Sequence, residues 1–204
     1  MKIQYGCGTS TRDGWLNYDA SPTLRLQRMP VIGRIVTAGR AQFPENALFG
    51  DVTTKLPLAD GSVDFAYCSH VLEHLSLHDC RRALRETMRI LRPGGVFRGV
   101  MPDLGYIVRQ YSSNGTADAA NQFMRDTILG VEKRRGGLVA IAESVFGNSN
   151  HLWLWDYLGI EAELKSAGFN SIRTAEFGDS TAVVFSEIEE QSRWSNALGV
   201  EAIK

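Results

Sequence analysis

The chain has 204 residues, 44% of them hydrophobic and 22% charged, with a formal net charge of −1 at pH 7. This length allows one well-buried domain, and the near-neutral charge gives no global field that would point to a nucleic-acid partner. No run of about 18 apolar residues is present, so no integral membrane segment is expected. The three cysteines lack metal-type spacing, and the first residues lack the apolar core of a signal peptide, so the expected location is cytoplasmic.

Strand-like and helix-like segments alternate through the first half of the chain. A short extended run at residues 2–5 stops at the GCG of residues 6–8, and a second run, GWLNYD, ends in Asp19. The SPT of residues 21–23 predicts a helix start. ALFGD predicts a third strand that ends in Asp51, and the largely apolar VDFAYCS predicts a fourth strand that is buried on both faces.

The alternation continues to the end of the predicted sheet. Ser76 and Asp79 predict a capped start to an amphipathic helix, VFRGVM predicts a fifth strand closed by Asp103, and Gly168 predicts the end of a later helix. SIRTAEFG and TAVVFSEI predict two closing strands, and the last fifteen or so residues predict a polar surface tail. This pattern favours an α/β fold with a doubly wound, mostly parallel sheet.

Residues 104–158 differ in texture from the rest of the chain. Helix-like pieces are broken there by SSNGT, KRRGG and GNSN, and no strong strand pattern is present. We therefore expect a single domain over residues 1–204, with 104–158 as a helical insertion or cap after the fifth strand. Dimerisation through this segment is left open.

The first glycine-rich turn predicts a nucleoside site. Gly6 and Gly8 allow the backbone to turn tightly and to approach a ligand closely, and Asp19 can accept hydrogen bonds from both ribose hydroxyls. However, Thr11 stands in the place of the third glycine of the dinucleotide fingerprint, and Asp19 follows Gly8 by eleven positions against about twenty in a dinucleotide fold. The shortened connection favours a ligand with a ribose and no pyrophosphate. An ordinary turn with a solvated aspartate is the alternative.

The SHVLEHL segment raises the question of a metal. His70, Glu73 and His74 have H-x-x-E-H spacing, and two imidazoles four residues apart on a helix could bind zinc. The segment follows a buried strand at the ligand-binding edge of an α/β sheet, and Ser76 starts a new helix directly after it. We therefore expect no metal and a structural role for His74, with a metal-dependent hydrolase as a less favoured alternative.

Five segments in order resemble the class I S-adenosylmethionine-dependent methyltransferases: YGCG, GWLNYD, GDVTTKLPLADGSVDFAYCSHVLEHL, ALRETMRILRPGGVFRGVMPDL and ELKSAGF. The resemblance covers roughly residues 2–103 and 150–188. It implies a Rossmann-like seven-stranded sheet with its last strand antiparallel, and S-adenosylmethionine as cofactor. By position it implies cofactor contacts from Gly6, Cys7 and Gly8 at the methionine moiety, from Asp19 at the ribose, from Asp51 and Val52 at the adenine, and from Ser69 and His70 near the sulfonium.

Two residues are candidate catalytic bases. Methyl transfer from a sulfonium is an in-line displacement that depends on positioning and water exclusion, but a hydroxyl acceptor also needs a base with a pKa near neutrality. His151 is the first candidate and Asp103 the second, against a backbone-bonded loop histidine and a helix cap. Trp153, Trp155 and Tyr157 could form the wall of an acceptor pocket, or could be ordinary core residues.

Several acceptor classes are disfavoured. The fourth strand is followed by SHVL and not by the Asn/Asp-Pro-Pro-aromatic sequence associated with methylation of amide or base nitrogens, and no Pro-Cys pair is present. Methylation of oxygen in a small-molecule or glycan-type, including lipid-linked, acceptor is therefore favoured. A non-catalytic cofactor-binding module or partner subunit is the alternative. Arg25, Arg28, Arg34 and Arg40 could form a patch for an acidic acceptor or a membrane surface, or a solvated face.

Overall fold

A seven-stranded sheet forms the centre of the molecule in the computed structural model, which describes residues 1–29, 42–132 and 150–204. The strands are β1 (Lys2–Tyr5), β2 (Leu16–Asp19), β3 (Ala47–Phe49), β4 (Val63–Ser69), β5 (Leu91–Pro102), β6 (Ser171–Ala175) and β7 (Ala197–Ile203). Their order is β3-β2-β1-β4-β5-β7-β6. Strands β1 to β5 are parallel, and β7 runs antiparallel to both β5 and β6. The predicted Rossmann-like sheet with its last strand antiparallel is confirmed.

Helices cover the sheet on both faces. They are α1 (Pro22–Gln27), α2 (Leu77–Ile90), α3 (Leu104–Ser113), α4 (Ala119–Asp126) and α5 (Tyr157–Ala167), with 3-10 turns at Leu72–His74, Val183–Glu187 and Gln191–Trp194. The predicted caps are present: the Ser76 hydroxyl accepts a hydrogen bond from the backbone N–H of Asp79 at 3.1 Å, and Gly168 ends α5 at φ +109°.

Two apolar clusters lie on opposite faces of the sheet, because neighbouring strand residues point to opposite sides. Ala66 of β4 packs in the main cluster with Leu84 of α2 and Ile160 of α5, all fully buried. Tyr67, the next residue along β4, packs in a second cluster with Phe185. VDFAYCS is therefore buried on both faces, as its continuous apolar character predicts.

The prediction for the end of the chain is wrong. TAVVFSEI does not form a strand: its centre is the 3-10 turn Val183–Glu187, in which Phe185 is fully buried. The last strand is β7, within the residues predicted as a polar surface tail, and its Val200 and Ala202 are fully buried. The segment ALGVEAI was predicted as surface because it contains a glutamate. Glu201 is only 7% exposed, and its charge is neutralised by Arg98, which is distant in sequence.

The connection between β1 and β2 confirms the shortened crossover. Residues 6–15 form turns and contain no helix. Gln4, a polar residue in the first strand, is paired: its Nε2 donates to Asn17 Oδ1 at 2.5 Å and to the Ser10 carbonyl at 2.9 Å. Asn17 also accepts from the Arg12 backbone N–H at 2.9 Å. These side-chain hydrogen bonds stabilise the loop of residues 6–15, which takes the place of the usual crossover helix between the first two strands.

Within residues 104–158, the described part is mainly helical, through α3 and α4. KRRGG and most of GNSN lie outside the described residues, so the boundaries of the insertion stay a prediction. Among the described helices, none has the length and apolar character needed to cross a bilayer.

Candidate active site

A cleft of about 370 Å³ lies at the carboxyl ends of β1 and β4. These strands are neighbours in the sheet, but β1 also pairs with β2 while β4 pairs with β5, so their following segments lead to opposite sides. Ligands bind at such switch points in α/β proteins. Six of the predicted cofactor residues line the cleft: Gly6, Gly8, Asp19, Asp51, Val52 and His70.

The two glycines of the first turn have different requirements. Gly6 has φ +69°, and a Cβ placed on it would lie 2.1 Å from Cγ2 of Val71, so no larger residue fits without movement. Gly8 has φ +53°, but a Cβ there would meet no atom within 4 Å. Gly6 therefore allows close packing of the loop on the segment after β4, whereas Gly8 borders open space on the cleft side.

The carboxylate of Asp19 organises the glycine turn as well as lining the cleft. Its Oδ2 accepts a hydrogen bond from the Gly8 N–H at 2.8 Å, and its Oδ1 accepts from the Ser21 N–H at 2.8 Å. A carboxylate has about four acceptor sites, so both oxygens can still accept from a ligand. Asp51 has a similar local role, because its Oδ1 accepts from the Thr53 N–H at 2.8 Å.

Cys7 and Ser69 do not line the cleft. They border a separate cavity of about 20 Å³ together with Gln4 and Arg193. Burial raises the pKa of the Cys7 thiol to about 12, so this side chain is a neutral, inert group at physiological pH. Their predicted cofactor contacts stay predictions, and any contact would have to come from the backbone or from a rearranged loop.

A second, larger cavity of about 730 Å³ adjoins the cleft, and His70 lines both. The cavity lies between the end of β5, helices α3 and α4, and residues 195–197. Its polar and aromatic side chains include Tyr106, Gln110, Tyr111, Asn114, Gln122 and Phe123. Trp153, Trp155 and Tyr157, the aromatic residues predicted for this wall, line neither cavity. Trp155 is a core residue with 3% exposure.

Backbone strain in the described part of the chain is concentrated at this larger cavity. Three non-glycine residues have positive φ angles: His70 at 54°, Ile128 at 52° and Asn196 at 57°. All three line the cavity. Such conformations cost free energy and persist where the surrounding structure enforces them, which is a frequent property of functional sites.

His70 is held rigidly at the junction of the cleft and the cavity. Its Nδ1 lies 3.1 Å from Glu73 Oε1, and its Nε2 lies 2.9 Å from the Arg193 carbonyl oxygen. Because both partners accept hydrogen bonds, they favour the imidazolium and raise the pKa of His70, with the Glu73 contact as the largest cause.

The two candidate bases occupy different environments. His151 lines the larger cavity and is 6% exposed. Its Nδ1 lies 2.9 Å from the Thr127 carbonyl oxygen, so this nitrogen carries the proton, and Nε2 has a lone pair with no partner in the described parts of the chain. Burial lowers the pKa of His151, which favours the neutral ring. Asp103 lines neither cavity and forms an ion pair with Arg109 at 3.5 Å.

The predicted arginine patch is only partly described. The Arg25 guanidinium lies 4.8 Å from the centre of the Phe49 ring, and Arg28 donates to the carbonyl oxygens of Pro44, Glu45 and Ala47. Arg34 and Arg40 lie outside the described residues. The two described arginines therefore stabilise the connection to β3.

The comparisons with known proteins agree with this fold. Residues 3–98 match the model of a methyltransferase domain family. This match spans 96 of the 204 residues, so a little under half of the chain is similar to that family. An uncharacterized 37.1 kDa protein of transposon TN4556 from Streptomyces fradiae is 33% identical over 132 residues, which are 62% of this chain and 37% of that protein. The chain thus spans little more than a third of the length of this relative.

Solved structures with the same fold include two S-adenosylmethionine-dependent methyltransferases. That from Thermotoga maritima is 19% identical with a TM-score of 0.52, and the match covers 100% of this chain and 81% of the other. That from Mesorhizobium loti is 19% identical with a TM-score of 0.51, covering 99% and 89%. Likeness at this identity establishes the fold. The alternative of a metal-dependent hydrolase on His70, Glu73 and His74 has no support, since hydrogen-bond partners already occupy both ring nitrogens of His70.

Proposed function

We propose that the protein transfers a methyl group from S-adenosylmethionine in the cleft to an oxygen atom of a small-molecule or glycan-type acceptor in the larger cavity. The observation that carries this proposal is the shared wall at His70, which lines both spaces. In-line methyl transfer requires donor and acceptor sites that meet at one point and exclude water from it.

The cleft supplies the groups that a nucleoside ligand needs. Asp19 can accept hydrogen bonds from the ribose hydroxyls while it holds the Gly8 N–H, and Val52, which is 5% exposed, offers an apolar surface to the adenine. The methionine end would then point along the glycine turn towards His70. This orientation places the sulfonium at the entrance to the larger cavity.

The lining of the larger cavity favours a neutral, hydroxyl-bearing acceptor. The amides of Gln110, Asn114 and Gln122 both donate and accept hydrogen bonds, as hydroxyl groups do. The rings of Tyr111 and Phe123, 5.3 Å apart, add an apolar surface. A volume of about 730 Å³ suits a drug-sized or monosaccharide-sized molecule. A cytoplasmic location and dimerisation through residues 104–158 stay predictions.

His151 is the residue that we propose to act on the acceptor. Its Nε2 belongs to a ring in the cavity wall and can take up the proton that a hydroxyl acceptor loses. Asp103, the second predicted base, forms an ion pair with Arg109 and lines neither cavity, so we do not propose it as the base. We propose instead a structural role for Asp103 at the junction of β5 and α3.

A turnover assay tests the proposal. Purified protein is incubated with methyl-labelled S-adenosylmethionine and a panel of sugars, phenols and aliphatic alcohols, with amines of matched size for comparison. We expect labelled ethers and S-adenosylhomocysteine from hydroxyl acceptors. His151→Asn should lower kcat by about 10²-fold or more while it preserves S-adenosylhomocysteine affinity. The control His78→Asn, on exposed α2 surface, should behave as wild type. Transfer to amines alone, or full activity of His151→Asn, would contradict the assignment.

A further inference from the structure

Three side chains that could bind a metal meet between the cleft and the larger cavity. Glu73, His74 and His151 each offer one ligand atom, and these atoms all lie within 4.8 Å of one another. The two imidazole rings are 4.9 Å apart. His74 lines the cleft and His151 lines the larger cavity, so the cluster lies where a donor and an acceptor would meet.

Each of the two imidazoles has one nitrogen in a hydrogen bond, and its other nitrogen has no partner among the residues that the structure describes. The Nδ1 of His74 lies 3.2 Å from the Asn150 carbonyl oxygen, and the Nδ1 of His151 lies 2.9 Å from the Thr127 carbonyl oxygen. A carbonyl can only accept, so each Nδ1 carries the proton and each Nε2 keeps its lone pair. Histidines that bind metals are usually held in this way, with the second nitrogen donating to a backbone carbonyl.

The carboxylate of Glu73 is a second, independent observation that favours a cation at this cluster. Glu73 is fully buried. Its Oε1 contacts His70, but its Oε2 has no hydrogen-bond partner among the described residues. A buried carboxylate oxygen without a hydrogen-bond partner is energetically unfavourable. A bound cation would offset this cost, and the contact with His70 would orient the carboxylate as a ligand.

Backbone hydrogen bonds keep the three residues together without help from their side chains. The N–H groups of Leu152 and Trp153 donate to the Glu73 carbonyl oxygen at 2.7 and 3.1 Å. The segment that carries His151 is therefore attached directly to the turn that carries Glu73 and His74. Side-chain substitutions at the cluster should leave this attachment in place.

We propose that Glu73, His74 and His151 bind one divalent transition-metal cation of the Zn²⁺ class. Two imidazoles and one carboxylate suit such cations, whereas Mg²⁺ prefers oxygen ligands alone. Metal–ligand bonds of about 2.0–2.2 Å require the three ligand atoms, which lie within 4.8 Å of one another, to draw closer together. Three protein ligands leave at least one position open for the acceptor.

This site differs from the one that the H-x-x-E-H spacing predicts. The third ligand is His151, far away in sequence, and His70 serves as the hydrogen-bond partner of Glu73. The catalytic consequence rests on the proposed function: an acceptor hydroxyl bound to the cation would lose its proton more readily. In the metal-loaded protein, Nε2 of His151 would bind the cation and the acceptor proton would pass to solvent water, so the role of His151 as a base applies to the metal-free protein.

The test is a metal titration of protein stripped with a chelator. We expect calorimetry with Zn²⁺ to show one site per chain with micromolar or tighter affinity, and Co²⁺ to give visible absorption bands. Glu73→Gln and His151→Ala should each weaken Zn²⁺ binding at least tenfold. His74→Asn, at a half-buried position, is a third variant in case Glu73→Gln is unstable. The matched control His78→Ala removes an exposed histidine outside the cluster and should not change Zn²⁺ affinity.

Several results would overturn the proposal. These are the absence of saturable Zn²⁺ binding to the folded protein, equal affinity of the three cluster variants and wild type, or equal affinity for Mg²⁺. S-adenosylhomocysteine is titrated into the same stripped samples. If the protein binds S-adenosylhomocysteine but not Zn²⁺, only the metal site is contradicted. If it binds Zn²⁺ but not S-adenosylhomocysteine, the proposed function is contradicted instead.

Discussion

At the scale of single residues, His70 lies where the cleft and the larger cavity meet. It follows β4 with φ 54°, and its backbone N–H donates to the Val100 carbonyl oxygen at 2.8 Å, which links the ends of β4 and β5. Its ring contacts Glu73 and the Arg193 carbonyl. The strained backbone thus places an oriented ring at the boundary of the cleft and the cavity.

Gly6 provides a test of the close packing behind the cleft. Gly6→Ala should lower the free energy of unfolding by about 2 kcal/mol or more, because φ is +69° and the new Cβ would lie 2.1 Å from Val71 Cγ2. Urea denaturation measures this change. The control Gly115→Ala introduces a methyl group into open space and should have little effect. Equal stability of the two variants would show that the segment after β4 moves away easily.

The sequence predicts the residues at strand ends better than those of the acceptor cavity. Gly6, Asp19 and Asp51 could be placed because each follows a recognisable strand, and parallel strands present their carboxyl ends at one edge. Tyr106, Gln110 and Phe123 carry no motif. Their helices meet residues 195–197 only in the folded chain, so no local spacing marks the face that lines the cavity.

At the scale of elements, β7 depends on a buried ion-pair cluster. Arg98 of β5 is fully buried, and its guanidinium contacts Glu201 of β7 at 3.0 Å and Asp179 at 2.9 Å. It also pairs with Glu189, which is 1% exposed. This cluster explains why the element was missed: a strand whose glutamate has a partner about a hundred residues away resembles a surface tail.

Arg98→Met should be strongly destabilising. Removing the guanidinium leaves Glu189 buried without the cation it pairs with and leaves Glu201 paired with Arg173 alone, and breaking a buried pair costs about 3–5 kcal/mol. The comparison is Arg81→Met, which breaks an exposed pair with Glu163 and should have a much smaller effect. Guanidinium chloride denaturation of both variants gives the difference. Similar stabilities would mean that the cluster adds little to the docking of β7.

The elements with local signals are predicted well, and the others are not. The helix α2 has its cap, its apolar stripe and its terminating sequence within one stretch, so pattern and structure agree. The segment TAVVFSEI has strand-like composition, but it forms a 3-10 turn in which Phe185 packs against Trp15 and Tyr67 in the second apolar cluster. Tertiary packing there overrides local propensity, which is the common cause of such errors.

At the scale of the whole molecule, the sheet brings distant segments to one edge. β1, β2 and β4 end at the cleft, whereas the larger cavity is built from residues that follow β5 and precede β7. The turn Leu72–His74 and the segment from His151 lie between the two spaces. This arrangement fits the proposed methyl transfer, in which the cleft would bind the cofactor and the larger cavity would bind the acceptor.

The most direct test of this account is calorimetric titration of S-adenosylhomocysteine into the folded protein. We expect one-to-one binding with micromolar affinity. Asp19→Ala should weaken it at least tenfold, or about 1.4 kcal/mol, because the carboxylate holds the Gly8 N–H and lines the cleft at the proposed ribose position. The control Asp13→Ala, at an exposed turn, should bind as wild type. No binding by folded protein, or equal affinity of Asp19→Ala and wild type, would contradict the proposed cofactor site.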